Sequence, residues 1–432
     1  MNIKLSSCAL LLIPILLSCS GENEYTSLAD MTMSIEGHTL SKTVILSRHN
    51  IRSPLVGPSS ILSTITPHEW FEWTSNASEL SLKGGILETE MGQYFRKWLE
   101  SERLFPENYR PLEGEVRFYA NVKQRTIATT NYFSSALLPS FDADIEVKVP
   151  FDTMDPVFNP CLNFVSDSYV STAKAEISSL FDKRIEGLSD NYELLCNVID
   201  FKDSEAYRSG AVSGFNTDDT VLSFQEGKEP AMSGSLKTGC SVSDALTLQY
   251  YEEKDATKAA FGHALSFDQW KAISEIKDLY GDVLFTAPSV CVNVAHPLLE
   301  EIASELNSEE RKFAFLCGHD SNVGSVLASL EVEDYELPKS IESKTPIGCK
   351  LTFNTYLDAA KKEYCLVSLV YQSVEQLRAN APLDLKHPPM IVPLKFKGIA
   401  SDANGLCLKE DLLKRLEESI ARYDDMVSTY SK

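Results

Sequence analysis

Short apolar runs recur along this chain, each closed by a polar or charged loop and then by a helix-like pattern. Thr43-Val44-Ile45-Leu46 reads as a buried strand, and it leads into Arg48-His49-Asn50-Ile51-Arg52-Ser53-Pro54. Glu115 to Ala120 reads the same way and leads into Asn121-Val122-Lys123-Gln124-Arg125-Thr126, with Thr126 to Phe133 opening a helix. Lys312 to Cys317 is a third such run, followed by Gly318-His319-Asp320-Ser321-Asn322 and a helix beginning over Asn322 to Leu330. Farther on, Leu351-Thr352-Phe353 and Tyr364 to Tyr371 predict antiparallel strands. Leu412, Leu413, Leu416, Ile420 and Tyr423 stand at helical spacing within 409–428. Between these blocks strand signals thin out, and helix-like runs cover 171–188, 190–198 and 243–251. The pattern predicts an α/β fold whose core, residues 38–150 and 275–432, is interrupted by a largely helical insertion over 151–274.

The charged loops change what this pattern means. Two guanidiniums flanking one imidazole are poor core material, but the planar donor fork of Arg fits phosphate oxygens. His49 sits where it could attack a phosphorus held between Arg48 and Arg52. Arg125 in the second loop adds a cation, and His319 and Asp320 in the third add a donor and a carboxyl group. Ligands of open α/β sheets bind outside the carboxyl ends of the strands, and all three loops start there. Taken singly, each residue has an ordinary explanation: Asp320 as a helix cap, Arg125 as a surface ion pair, Ser53-Pro54 as a turn. Packing does not explain the three together. The other histidines, His38, His68, His263, His296 and His387, form no close metal-ligand spacing and read as structural or surface groups.

Nine stretches carry a resemblance: SRHNIRSPL (47–55), LSLKGG (80–85), ANVKQRTIAT (120–129), TMDPVFNP (153–160), EPAMSG (229–234), LTLQYYE (246–252), GHDSNV (318–323), TPIG (345–348) and YQSVEQLR (371–378). Together they resemble the histidine acid phosphatases, branch 2 of the histidine phosphatase superfamily, and within them the bacterial periplasmic glucose-1-phosphatases. Asn50 stands where the broad family usually has Gly, as it does in that group. The resemblance implies a Rossmann-like α/β sandwich with an inserted, mostly α-helical cap over the active site. It implies His49 as nucleophile forming a phosphohistidine, Asp320 as proton donor to the leaving group, and Arg48, Arg52, Arg125 and His319 as phosphate ligands. A carboxylic acid donates only when protonated, so an acidic optimum is expected. No metal or other cofactor is expected, because the arginines gather the charge that a divalent ion would.

By the same resemblance, Glu229 would hydrogen-bond the sugar hydroxyls opposite the phosphate, with Thr153 and Met154 lining the same pocket. A solvated loop Glu is the plainer reading of Glu229. The implied substrate is a sugar phosphomonoester, with glucose 1-phosphate first. A phytase of the same mechanism is the alternative, which a strongly positive cap-side pocket would favour. A sugar-phosphate-binding lipoprotein without turnover is more remote, since a binder needs neither His49 nor Asp320.

The amino terminus speaks to compartment. Lys4 precedes an apolar run from Cys8 to Leu17, too short to span a bilayer. Leu16-Leu17-Ser18-Cys19 then resembles a lipobox, so residues 1–18 read as a signal peptide and Cys19 as a lipidated first residue on a tether over 19–37. An ordinary secretory signal cut nearby is the competing reading. This predicts an exported lipoprotein, periplasmic or surface-anchored, meeting membrane only through its anchor. With 40 Lys+Arg against 62 Asp+Glu the formal charge is −22, which argues against nucleic-acid binding and requires a basic pocket inside an acidic shell. Hydrophobic content of 43% is ample for a core. Besides Cys8 and Cys19, eight cysteines remain; full pairing is not expected, because Cys317 lies in a predicted central strand where a buried thiol is the commoner state. Oligomeric state is not legible in the chain.

Overall fold

In the computed structural model, which describes residues 32–55 and 60–431, the predicted runs become neighbouring strands. The strands are β1 (Thr39–Arg48), β2 (Val116–Ala120), β3 (Ile145–Glu146), β4 (Val221–Ser223), β5 (Ala231–Ser233), β6 (Phe313–Gly318), β7 (Lys350–Leu357), β8 (Glu363–Tyr371), β9 (Met390–Pro393) and β10 (Cys407–Leu408). All but β4 and β5 join one sheet in the order β10-β8-β7-β1-β6-β2-β3, with β9 also on β8. β1, β6, β2 and β3 run parallel, while β7 to β10 extend the sheet antiparallel.

Period-two alternation divides the strand residues between two layers. Val44, Leu46, Ala314, Leu316, Leu351 and Leu369 face one side. Ile45, Phe118, Phe313, Phe315, Leu366 and Val370 face the other. The second face is covered by α1 (Leu82–Ser101) and α2 (Gln124–Leu137). The helical body that follows comprises α3 (Asp167–Glu186), α4 (Ser189–Val198), α5 (Glu205–Arg208), α6 (Ser235–Glu252), α7 (Ala256–Ala259) and α8 (Phe267–Phe285). α9 (Pro288–Asn307), α10 (Asp320–Ser329) and α12 (Lys409–Tyr430) cover the first face of the sheet, and α11 (Val374–Ala379) follows β8. Rossmann-like layering with an added helical body is thus the architecture.

The border of that body differs from the expected one. Residue 275 lies inside α8, whose Ile273, Ile276, Leu279 and Val283 pack with α3, α4 and α6. The chain changes core within α9: Val290 and Val294 belong to the helical body, whereas Leu298, Leu299 and Ile302 lie against the sheet. A continuous apolar stripe does not announce which neighbour it will meet, so the sequence placed the border one helix early.

The cysteines of the described residues are free thiols, with Cys317 buried in β6 as expected. No single helix among the described residues is long and apolar enough to cross a membrane. The expected signal peptide and Cys19 lie outside the described residues.

Candidate active site

Parallel pairing carries the three loops to one place. Arg48 lies opposite Gly318 and Ala120 opposite Cys317 in register. The ladder continues one bond past the strands: His49 N–H donates to Gly318 O at 3.1 Å and Asn121 N–H to Cys317 O at 2.9 Å. His49, Asn121 and His319 therefore leave the sheet side by side. The His49 and His319 rings meet edge to face with centroids 5.5 Å apart.

The nucleophile loop is held from below. His49 is 4% exposed, and its Nδ1 lies 2.9 Å from Asn50 O. A carbonyl only accepts, so Nδ1 carries the proton and Nε2 keeps a free lone pair. Asn50 does not stand in for a glycine at positive φ. Its Nδ2 donates to Glu88 at 2.9 Å, and its Oδ1 accepts from Ile51 N–H at 2.9 Å. Glu88 in turn pairs with Lys350 at 2.8 Å, both side chains fully buried. Two glycines make room: a Cβ at Gly84 would lie 2.3 Å from Ile51 O, and one at Gly348, at φ +68°, 2.5 Å from Asn50 Nδ2.

Cations converge above this base. Arg48 pairs with buried Glu342 at 2.6 Å and with Asp320 at 3.3 Å. Glu342 also takes Lys277 of α8 at 2.9 Å, the Tyr251 hydroxyl at 3.1 Å and Ile347 N–H at 2.8 Å. Arg52 pairs with Asp244 of α6 at 2.9 Å, and Arg125 reaches to 3.4 Å from His319 Nδ1. Burial, then the charges of Arg125, His319, Arg48 and Arg52, hold the His49 imidazole well below its ordinary value, so it is neutral. Burial and Arg125 likewise bring His319 down to about 3.

Asp320 behaves differently from the expected proton donor. It is the first residue of α10, after His319 as N-cap, and its side chain is 45% exposed. Desolvation pushes its carboxyl up but is outweighed by Arg48 and then Lys277, which hold it well below the carboxylate range. In the free site Asp320 is held as a carboxylate, so it can donate a proton only where bound substrate offsets Arg48.

A cavity of about 680 Å³ opens beside Asp320, walled by Arg52 and by α6 and α8. Its charged lining is balanced: Arg52, Lys237, Lys277 and Lys344 against Asp244, Asp278, Asp282 and Asp320. Glu229, Thr153 and Met154 are not in this lining. Glu229 stands on an exposed loop; desolvation, then the Asp320 charge, pushes its carboxyl up, an effect that solvent contact screens. Thr153 is in an exposed turn with its hydroxyl donating to Pro150 O, which leaves its oxygen free only to accept. Met154 lies behind the cluster, its Sδ accepting from Asn121 Nδ2 at 3.3 Å. Among the described residues no group of three or more His, Cys, Asp or Glu is arranged to hold a metal ion.

Residues 39–372 match the histidine phosphatase superfamily (branch 2). The chain belongs to that family. It is 36% identical over 389 residues to a glucose-1-phosphatase of Providencia rettgeri, covering 88% of this chain and 92% of that one. It is 35% identical to a glucose-1-phosphatase of Salmonella typhimurium, covering 92% and 94%. Among solved structures it superposes on a Hafnia alvei phytase in complex with myo-inositol hexakis sulphate with a TM-score of 0.81 at 26% identity, covering 90% and 98%.

This histidine acid phosphatase is thus a phosphomonoester hydrolase. A bare imidazole nitrogen, cations around it and a carboxyl group at an open cavity are the parts that in-line phosphoryl transfer to nitrogen requires. Sequence reasoning missed the residues that hold these parts. Asn121 lay inside a quoted motif, unremarked because an amide carries no charge. Glu342, Lys277 and Asp244 had no local signal at all, since their partners are distant in the chain.

Proposed function

We propose that this phosphatase acts on sugar phosphomonoesters, with glucose 1-phosphate as preferred substrate. Arg48, Arg52, Arg125 and His319 hold the phosphoryl oxygens while His49 Nε2 attacks phosphorus. The ester oxygen leaves on the side of Asp320, and water then hydrolyses the phosphohistidine. The proton for the leaving oxygen arrives with the substrate: a phosphate ester has a second pKa of about 6, so below it the monoanion brings one. Its remaining charge offsets Arg48, the main group depressing Asp320. An acidic optimum follows from the substrate's titration.

The charge balance of the cavity carries the substrate reading. Asp244 already engages Arg52, and Asp282 and Asp320 stand against Lys237, Lys277 and Lys344, joined by Asp278 above about pH 6, to which burial raises its carboxyl, so a second phosphate on the leaving group would meet repulsion as well as attraction. Neutral hydroxyls suit such a lining, with Glu229 as one acceptor from across the site. The two glucose-1-phosphatases support the same choice. The likeness to a phytase bound to an inositol hexakis sulphate favours inositol phosphates as the second reading. We further infer export, with lipidation at Cys19, from Lys4, the short apolar run and Ser18-Cys19.

The test is phosphate release from glucose 1-phosphate and from phytate, side by side at mildly acidic pH, with chelator present and His49→Ala as control. Faster release from glucose 1-phosphate, lost in the variant, supports the proposal. Dominant phytate hydrolysis moves the specificity to inositol phosphates; no release from either revives the binding protein.

A further inference from the structure

The two histidines of the site have their tautomers set by different devices. For His49 the device is a backbone carbonyl, which any residue at position 50 would supply. For His319 it is a side chain, and that side chain has no freedom to turn over.

Asn121 is fully buried at the carboxyl end of β2. Its Oδ1 accepts from two backbone amides, Val122 N–H at 2.8 Å and Asp155 N–H at 3.0 Å. Both partners only donate, so the oxygen must face them and Nδ2 must face the other way. Nδ2 lies 2.7 Å from His319 Nε2, with Met154 Sδ at 3.3 Å for its second hydrogen. Every polar position of this amide is therefore taken. A proton on His319 Nε2 would point N–H at N–H across 2.7 Å, with no acceptor between them. Leaving Nε2 bare removes that collision and puts the proton on Nδ1, where the facing donor, Arg125 Nη2, stands farther off at 3.4 Å, the longer and weaker of the two contacts.

We propose that Asn121 is a positioning residue that fixes His319 as its Nδ1–H tautomer, an uncharged hydrogen-bond donor to the phosphoryl group. This rests on reading the arginine cluster as the phosphoryl site. The groups facing His319 are Arg125 from α2, Arg48, His49 and Arg52 from β1 and its loop, and Asp320 beside it. Four of these five are cations or a base that must stay unprotonated, so another positive charge here would oppose the state that His49 needs to attack. An amide partner supplies the donor without the charge, and does so in acid, where a free imidazole would be protonated.

The experiment is NMR of the enzyme labelled with ¹⁵N-histidine, with His319→Gln used to assign the His319 signals. At about pH 5, without ligand and with inorganic phosphate, Nε2 is expected to resonate as a bare nitrogen and Nδ1 as N–H. Asn121→Asp keeps an acceptor for both backbone amides but sets a carboxylate against Nε2, so both nitrogens are expected to become N–H. Its kcat is expected to fall about tenfold with KM changed less. Should Asn121→Asp fail to fold, the wild-type spectrum alone decides. A protonated Nε2 in the wild type, or a bare one in Asn121→Asp, overturns the proposal. The spectra need no turnover, so a chain that hydrolyses no phosphomonoester would defeat the phosphoryl-site reading while leaving the tautomer measured.

Discussion

The sheet edge and the cap side of the cavity are built in contrasting ways. At the sheet edge, His49, Arg48, Asn121, His319 and Asp320 follow directly from β1, β2 and β6, and backbone register sets their spacing. On the cap side, Asp244 and Lys277 come from α6 and α8, which belong to a different hydrophobic core. Chemistry needs geometry within tenths of an ångström, and a parallel ladder supplies it. Specificity needs a surface that can be exchanged without disturbing that ladder, and an inserted helical body supplies that. Glu342 couples the two, since one buried carboxylate holds both Arg48 and Lys277.

Breaking this coupling should have the largest effect. Glu342 has its carboxyl brought down to about 2, burial being outweighed by Lys277 and then Arg48. In Glu342→Gln two buried cations lose their shared anion. Urea denaturation should show a loss of about 3 kcal/mol, and kcat/KM should fall about a hundredfold for every phosphomonoester alike.

The second test asks whether the sheet edge trades stability for neutral histidines. His319 has its folded pKa lowered to about 3. Between that value and its ordinary 6.5 the unfolded chain binds a proton that the folded chain refuses, so stability falls as pH drops through this window. His319→Gln removes the penalty. Relative to wild type, its urea midpoint should rise between pH 7 and pH 4, by at most about 3 kcal/mol in stability. An equal offset at both pH values would mean that His319 is not held neutral.

The third and fourth tests sharpen the cap side. Asp244→Asn frees Arg52 and tips the cavity lining positive. The ratio of phytate to glucose 1-phosphate kcat/KM should climb about tenfold with the mechanism intact. Glu229→Ala should be milder still, raising KM for glucose 1-phosphate about threefold at constant kcat, as loss of one exposed hydrogen bond implies. An unchanged substrate ratio in Asp244→Asn would detach specificity from charge balance.

What the sequence determined by itself was the set of reacting groups and the alternation that lays them out. Val44, Leu46, Ala314 and Leu316 alternate with Ile45, Phe313 and Phe315, and an apolar run of that length ending in Arg48-His49 or Gly318-His319 leaves few other folds open. Those residues are legible because each strand, its loop and its helix are contiguous. Only the tertiary structure decided the rest. It ionised the expected acid Asp320 by placing Arg48 and Lys277 against it. It kept Thr153 out of the cavity lining, moved the helical border into α9, and linked Asn50 to Glu88. Each of these depends on a partner far away in the chain, and the charge state or orientation of a buried group is a property of its neighbours, which no local pattern records.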